Sequence, residues 1–315
     1  MDSHHLRHHK NSDLIVNTIL AKKELYFMAL PGLLIILVFT YIPIFGWYMA
    51  FSNYQLGKSI WDAQFIGLKY FKEFFIDSTE ALSVIRNTLV MNISTLVLSL
   101  FSALAFAILL QELRNHRFMK VIQTVSFFPY FMSWVILYAV IYSLISVTNG
   151  AFNTTLLKLG WISEAKNILG DSRYSWLLII CVNIWNGLGY NSVIFISAIA
   201  GIGSEQYESA QIDGANRFQK ILYITVPNLV PTLVVLLIIN TGYVFNSGLD
   251  QYFIFTNTLN ISTMEVLDYY IYRYGMKLMN YSYATAAGII KTFISIILIF
   301  IVNGLAKKYS DKSIF

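Results

Sequence analysis

Six continuous apolar runs, at residues 25–51, 88–110, 121–147, 176–200, 229–249 and 284–306, constrain this chain more than any other feature. Each can cross a bilayer core as a helix, which takes about 20 residues. Inside hydrocarbon every backbone N–H and C=O must be paired internally, so only helices and closed barrels span. The runs do not alternate in polarity, which argues against barrel strands. The expected fold is therefore an all-α integral membrane protein with six transmembrane helices. Only 12% of the 315 residues are charged, against about 25% in soluble domains. Pro31 and Pro43 in the first run and Pro129 in the third are expected to kink their helices.

Charge sets the expected orientation. Twelve Lys and Arg fall on the side of the two termini, the second loop and the fourth loop, and nine on the other side. Cytoplasmic loops carry the excess of Lys and Arg. The expected division is a cytoplasmic segment 1–24, a permeating domain 25–306, and a cytoplasmic tail 307–315. No secretory pattern precedes the first run, so that span is expected to be retained. Cys181, the single cysteine, excludes an intramolecular disulfide and thiolate clusters. No dense basic patch with interleaved aromatics points to nucleic acid. His4, His5, His8 and His9 read as a solvated terminus, so no metal site is expected.

Loop residues 201–227 stand out as a polar island between apolar spans. Read as helix, Glu208, Ile212 and Ala215 share a face. Small residues Ser209, Ala210, Gly214 and Ala215 permit close approach of a partner. Gly214 suits a turn between two short helices, Asp213 is placed to cap the second, and Pro227 starts the return to the membrane. The order Glu208-Ser209-Ala210, three residues, Gly214, nine residues, Ile224-Thr225-Val226-Pro227 closely resembles the "EAA" loop of importer-type ABC transporter permeases. Ser209 and Val226 depart from the usual Ala and Leu. The resemblance extends to Phe39-Thr40-Tyr41-Ile42-Pro43, to Phe128-Pro129-Tyr130-Phe131-Met132-Ser133-Trp134-Val135 and to Tyr281-Ser282-Tyr283-Ala284-Thr285-Ala286-Ala287-Gly288. Those segments are similar to the LplB-like, polysaccharide-type branch of the carbohydrate uptake (MalF-like) family.

That resemblance implies a permease fold with a cytoplasmic coupling helix in a bacterial cell membrane. It implies coupling to an ATPase through Glu208, Ser209, Ala210, Asp213, Gly214, Ala215, Ile224 and Pro227. The implied partners are a second homologous permease, two copies of a cytoplasmic ATPase and an extracytoplasmic sugar-binding protein. The chain itself is expected to bind no cofactor, with ATP and Mg on the ATPase. Gly57-Lys58-Ser59 lacks the earlier glycine of a phosphate loop, because Ser52 stands there. Catalysis is not expected in this chain.

A polar solute needs hydrogen-bonding and stacking groups inside the bundle. The fourth span offers Asn183, Trp185, Asn186, Gly187, Gly189, Tyr190 and Asn191. The fifth offers Asn240, Thr241, Tyr243, Asn246, Ser247 and Gln251. Asn183-Ile184-Trp185-Asn186-Gly187-Leu188-Gly189-Tyr190 matches a sugar-contacting pattern of maltose-type permeases, and Asn240, Tyr243 and Ser247 match less closely. The carbohydrate pathway is thus expected at Asn183, Trp185, Gly187, Tyr190, Asn240, Tyr243, Asn246 and Ser247. The bland alternative is that these groups only bond helices together. Lys291 is expected to snorkel or to find a partner inside the bundle, ahead of a role in sugar passage. Trp61, Phe65, Tyr70, Phe71, Phe74 and Phe75 read first as interfacial anchors, and second as a docking surface. A stand-alone secondary transporter or channel is the rival reading. It predicts embedded acids or histidines, which the spans scarcely offer.

Overall fold

Hydrocarbon rewards long uninterrupted helices, because a helix pairs its own backbone. The computed structural model describes residues 22–310, with side chains through Gly304. Five helices in it are long and apolar enough to cross a membrane: Lys23–Phe51, Ala81–Gln111, Ser172–Ala200, Arg217–Thr241 and Tyr281–Gly304. A bent pair, His116–Phe131 and Trp134–Ile145, makes the sixth if counted as one span. The terminal residues His4, His5, Arg7, His8, His9, Lys10 and Lys312, and the side chains of Lys307 and Lys308, lie outside the described residues.

In chain order, α1 (Lys23–Ile36) continues through a π-helical stretch (Leu37–Tyr41) and a 3-10 stretch (Ile42–Phe51). A short antiparallel ladder of β1 (Ser52–Asn53) and β2 (Gln64–Phe65) follows, then α2 (Lys69–Lys72). Next come α3 (Ala81–Gln111), α4 (His116–Phe127), α5 (Trp134–Ile145), α6 (Ala151–Lys158) and α7 (Ser172–Ala200). The polar island forms α8 (Ser204–Ile212) and α9 (Arg217–Lys220), and α10 (Val226–Thr241) returns through the membrane. Short helices α11 (Leu249–Phe255), α12 (Ile261–Met264) and α13 (Leu267–Tyr272) precede α14 (Tyr281–Ser310).

Two apolar runs depart from expectation. The third is not a kinked helix but two helices bent by 107°. Pro129 lies in a 3-10 turn, Met132 and Ser133 are extended, and the Ser133 hydroxyl caps α5 by accepting from the Ile136 N–H. The Pro129 carbonyl is not wasted: it accepts the Asn186 amide at 2.8 Å, a bond supplied by the fourth span. The fifth run stops early, at Thr241, and the chain turns between Gly242 and Gly248, whose φ is +79°. Only glycine holds that conformation cheaply.

The frame is a parallel pair, α3 and α7. Met91 packs with Ile179 and Val182 near one end, and Leu100 and Ala103 with Phe195 near the other. Between them Asn191 donates to the Ser99 hydroxyl at 3.0 Å. A Cβ at Gly189 would lie 2.4 Å from the Ser126 carbonyl oxygen, so glycine lets α7 and α4 touch through their backbones.

The segments at the far end from the polar island form a cap. Of the aromatics expected at the interface, Tyr70 and Phe74 are instead buried with Tyr270 and Tyr283 in one core cluster, and Phe71 packs against it. Trp61, Phe65 and Phe75 remain exposed. Period and composition do not distinguish an interfacial ring from a core one.

Lys291 is paired inside the bundle: its ammonium meets the Asp268 carboxylate of α13. Both side chains are less than one-fifth exposed. Removing one partner of a buried pair strands the other charge. Lys291→Met is expected to lower stability by about 3 kcal/mol, and adding Asp268→Asn should recover most of the loss. Thermal unfolding in detergent checks this; a Lys291→Met variant as stable as the parent would count against the pairing.

Candidate functional site

Two polar features stand at opposite ends of one helix. At the first, α8 ends on Ile212, with Asp213 as its C-cap and Gly214 at φ +78°. The Gly214 N–H donates to the Gln211 carbonyl at 3.1 Å, and the Ala215 N–H to the Ala210 carbonyl at 2.9 Å. This pair of bonds is a Schellman ending, which consumes carbonyls the helix leaves open. No atom lies within 4 Å of a Cβ built at Gly214, so backbone conformation rather than space requires the glycine.

Asp213 therefore closes the first helix and does not cap the second, because Gly214 and Ala215 intervene. Asn216 caps α9: its side chain accepts from the Gln219 N–H at 2.9 Å, and the Gln219 side chain accepts from the Asn216 N–H at 2.8 Å. Such a reciprocal box satisfies two orphan donors. Ala215 lies past the end of α8, so it does not continue the helical face of Glu208 and Ile212. Pro227 is not the start of a span either. From Arg217 the helix runs unbroken through a π-helical stretch, Ile221–Thr225, to Thr241. The Asn228 side chain donates to the Ile224 carbonyl at 2.8 Å beside that proline.

Tyr207 and Thr225 share a hydroxyl bond of 2.9 Å, and Lys220 donates to Gln211 at 3.3 Å. These bonds join α8 to the next helix. Ala210, Asp213, Gly214, Ala215 and Ile224 then line a shallow cleft of about 240 Å³ with Gln219, Lys220 and Tyr223. Glu208, Ser209 and Pro227 are exposed, and among the described residues nothing pairs with the Glu208 carboxylate. Ile212, Phe218 and Tyr223 are 87%, 71% and 72% exposed. Phe218 and Tyr223 escaped the sequence reading, although large apolar residues inside a polar island are themselves a signal of contact.

The second feature is a polar cleft of about 200 Å³. It gathers Asn183 of α7, Asn240 of α10, and Tyr243, Asn246 and Ser247 of the following turn. Tyr243, Asn246 and Ser247 are not on a fifth-span helix, because α10 ends at Thr241; the turn brings them in. The wall also includes Asn92, Thr95 and Leu96 of α3 and Gln251 and Tyr252 of α11, and among the described residues no charged side chain lines it. Asn183 and Asn240 each donate one N–H to the carbonyl four residues earlier, at 2.8 Å. Asn92 donates to the Val244 carbonyl at 2.6 Å and the Ser247 hydroxyl at 2.7 Å. Behind the wall, Asp268 accepts the Ser247 N–H at 2.7 Å while holding Lys291.

Trp185, Gly187 and Tyr190 do not line this cleft. Trp185 is exposed, and Tyr190 stacks on Tyr130 with ring centroids 4.2 Å apart. A Cβ at Gly187 would sit 2.9 Å from the Asn191 amide, so that glycine clears the α3–α7 contact. Asn92, Tyr252 and Asp268 were missed. Asn92 was findable as a lone amide in an apolar run; Asp268 lies outside every run and offers no such signal.

In the left-handed region a non-glycine residue costs about 1 kcal/mol or more. Gly214→Ala should speed amide hydrogen exchange at Ala215 several-fold, while Gly214→Asn, which tolerates that region, should change it little. Equal exchange in both variants would undercut the role assigned to the turn.

Compared with known proteins, residues 96–312 match the family described as binding-protein-dependent transport system inner membrane component. Protein LplB of Bacillus subtilis (strain 168) is 35% identical over 293 residues, which cover 93% of this chain and 91% of that protein. The polygalacturonan/rhamnogalacturonan transport system permease protein YteP of the same organism is 34% identical over 306 residues, 97% and 94% of the two chains. A chain of the bacterial alginate ABC transporter, solved in complex with an alginate pentasaccharide-bound periplasmic protein, matches with a TM-score of 0.85 at 29% identity. That match covers 95% of this chain and 99% of the other.

Proposed function

The chain belongs to the family of binding-protein-dependent transport system inner membrane components, and from that premise we propose that its cargo is an oligosaccharide. It is a multi-pass transport subunit of an ABC importer rather than an enzyme. The observation that carries the cargo assignment is the uncharged cleft of Asn183, Asn240, Tyr243, Asn246 and Ser247. Amides donate to and accept from sugar hydroxyls, and an exposed ring offers a flat face to a pyranose. Relatives named for polygalacturonan, rhamnogalacturonan and alginate transport support the same class. Trp185, Gly187 and Tyr190 lie two to seven residues further along α7 toward the Glu208 end, a rise of about 3 to 10 Å along its axis. There the two exposed rings serve as later contacts, with Gly187 leaving room beside them.

The Glu208 segment docks on a cytoplasmic ATPase, which holds the ATP and Mg. Its free carboxylate and the exposed Ile212, Phe218 and Tyr223 fit a partner's cleft that is apolar at the centre and polar at the rim. Both termini are cytoplasmic, and the membrane is a bacterial cell membrane. A second homologous permease completes the pathway, two ATPase copies drive it, and an extracytoplasmic binding protein delivers the sugar. Closure of the ATPases would press on α8 and α9 and tilt the helix that ends at the sugar cleft.

Glu208→Ala and Phe218→Asp should each reduce co-purification of the ATPase and ATP-dependent uptake in vesicles by about tenfold, the equivalent of roughly 1.4 kcal/mol. Unchanged assembly together with unchanged uptake would rule out the docking assignment. Asn183→Ala should lower uptake to a similar degree with the complex still assembled. Normal uptake in that variant would count against the cleft as the pathway.

A further inference from the structure

We propose that Gln251 is a further sugar-reading residue, whose amide donates to an oxygen of the passing oligosaccharide. The inference rests on the pathway reading above and extends it from the fifth span into α11.

Gln251 is 3% exposed and lines the cleft. Its amide nitrogen is buried with no hydrogen-bond partner. An unmade bond of this kind is expensive, and such groups are rare in native interiors. The neighbouring amides differ. Asn92 spends both of its amide hydrogens inside the chain, on Val244 and Ser247. Asn183 and Asn240 each spend one on their own helix. Among the described amides of this wall, Gln251 is the one whose nitrogen is buried without a hydrogen-bond partner. A sugar hydroxyl both donates and accepts. It can give its proton to an asparagine oxygen and receive one from Gln251, which pairs both sides.

Among the described residues no hydrogen bond uses the amide. Gln251 sits in the first turn of α11, between the ends of Gly248 and Phe255, and an apolar residue of similar length would fill the same volume. A group that costs stability in the empty cleft and gains a partner only on loading fits a contact strengthened by cargo. The other orphan, the Thr256 hydroxyl, is not part of this wall.

The test uses the complete importer with its binding protein in proteoliposomes. The probe is a mixture of short oligosaccharides from hydrolysed starch, chitin, pectin and alginate, with accumulated species read by mass. Gln251→Leu and Gln251→Met should unfold at the same temperature as the parent or higher, because an orphan polar group is gone. Uptake per assembled complex should nevertheless fall about tenfold, roughly 1.4 kcal/mol of lost recognition. A merely structural amide predicts the reverse, lower stability with normal uptake per folded complex, and that result would overturn the inference. Asn183→Ala and Asn240→Ala run alongside. If they fail to transport while both Gln251 variants transport normally, only the Gln251 assignment falls. If all four transport normally, or the unaltered importer accumulates no oligosaccharide, the pathway reading falls and this inference with it.

Discussion

Asp268 bears on almost everything at the cleft end of the bundle. One carboxylate oxygen pairs with Lys291 of α14, and the other accepts the Ser247 N–H of the turn after α10. Ser247 in turn accepts from Asn92 of α3. Three membrane helices are thus tied through a single acid that lies on none of them. An unpaired charge here would be costly in low dielectric, so the arrangement is close to all-or-none. Holding the turn is also what lets α10 end early without fraying.

The same helix explains how two remote features can be one device. Arg217–Thr241 is 25 residues, about 37 Å at helical rise. Its first turn is bonded to α8 and its last carries Asn240. Rigid-body movement of the Glu208 segment therefore displaces the cleft without any chain of side-chain rearrangements. The compliant points are also visible. A π-helical stretch at Ile221–Thr225 and Pro227 fall in the half nearest the polar island, and Pro231 lies just past the midpoint. Kinks in long helices arise at such places. Bending there would set how much of a movement of α8 and α9 reaches the cleft half, which packs against its neighbours through Leu233.

Much of this was legible in the sequence because hydrocarbon imposes a blunt rule. Length and apolarity located all six crossing segments, and the Glu208–Gly214–Pro227 spacing located the loop. What was illegible follows from the same physics. Hydropathy is blind to helix ends inside an apolar run, so the break at Met132–Ser133 and the stop at Thr241 were hidden. Both are made by local backbone chemistry, a serine cap in one case and a pair of glycines in the other. The choice between Asp213 and Asn216 as the second cap turned on two residues of turn geometry. Asn183, Asn240, Tyr243, Asn246 and Ser247 line one cleft, and the last three reach it from a turn rather than from the expected fifth-span helix. Trp185 and Tyr190 share the fourth span with Asn183 but not its cleft, because Trp185 lies on another face of α7 and Tyr190 lies two turns further along it.

The cleft is open on one side. Amides and hydroxyls turned toward lipid carry a penalty that a water-filled cavity removes. Asn246 is exposed and Tyr243 is 64% exposed at its rim. A single copy of this chain thus presents half of a polar surface that hydrocarbon would reject. Within the proposed importer, a second permease closes that side, and the two walls enclose water until a sugar replaces it. On that view the pairing of subunits is a solvation requirement: the cleft needs an opposite wall for the same reason each membrane helix needs its backbone bonds.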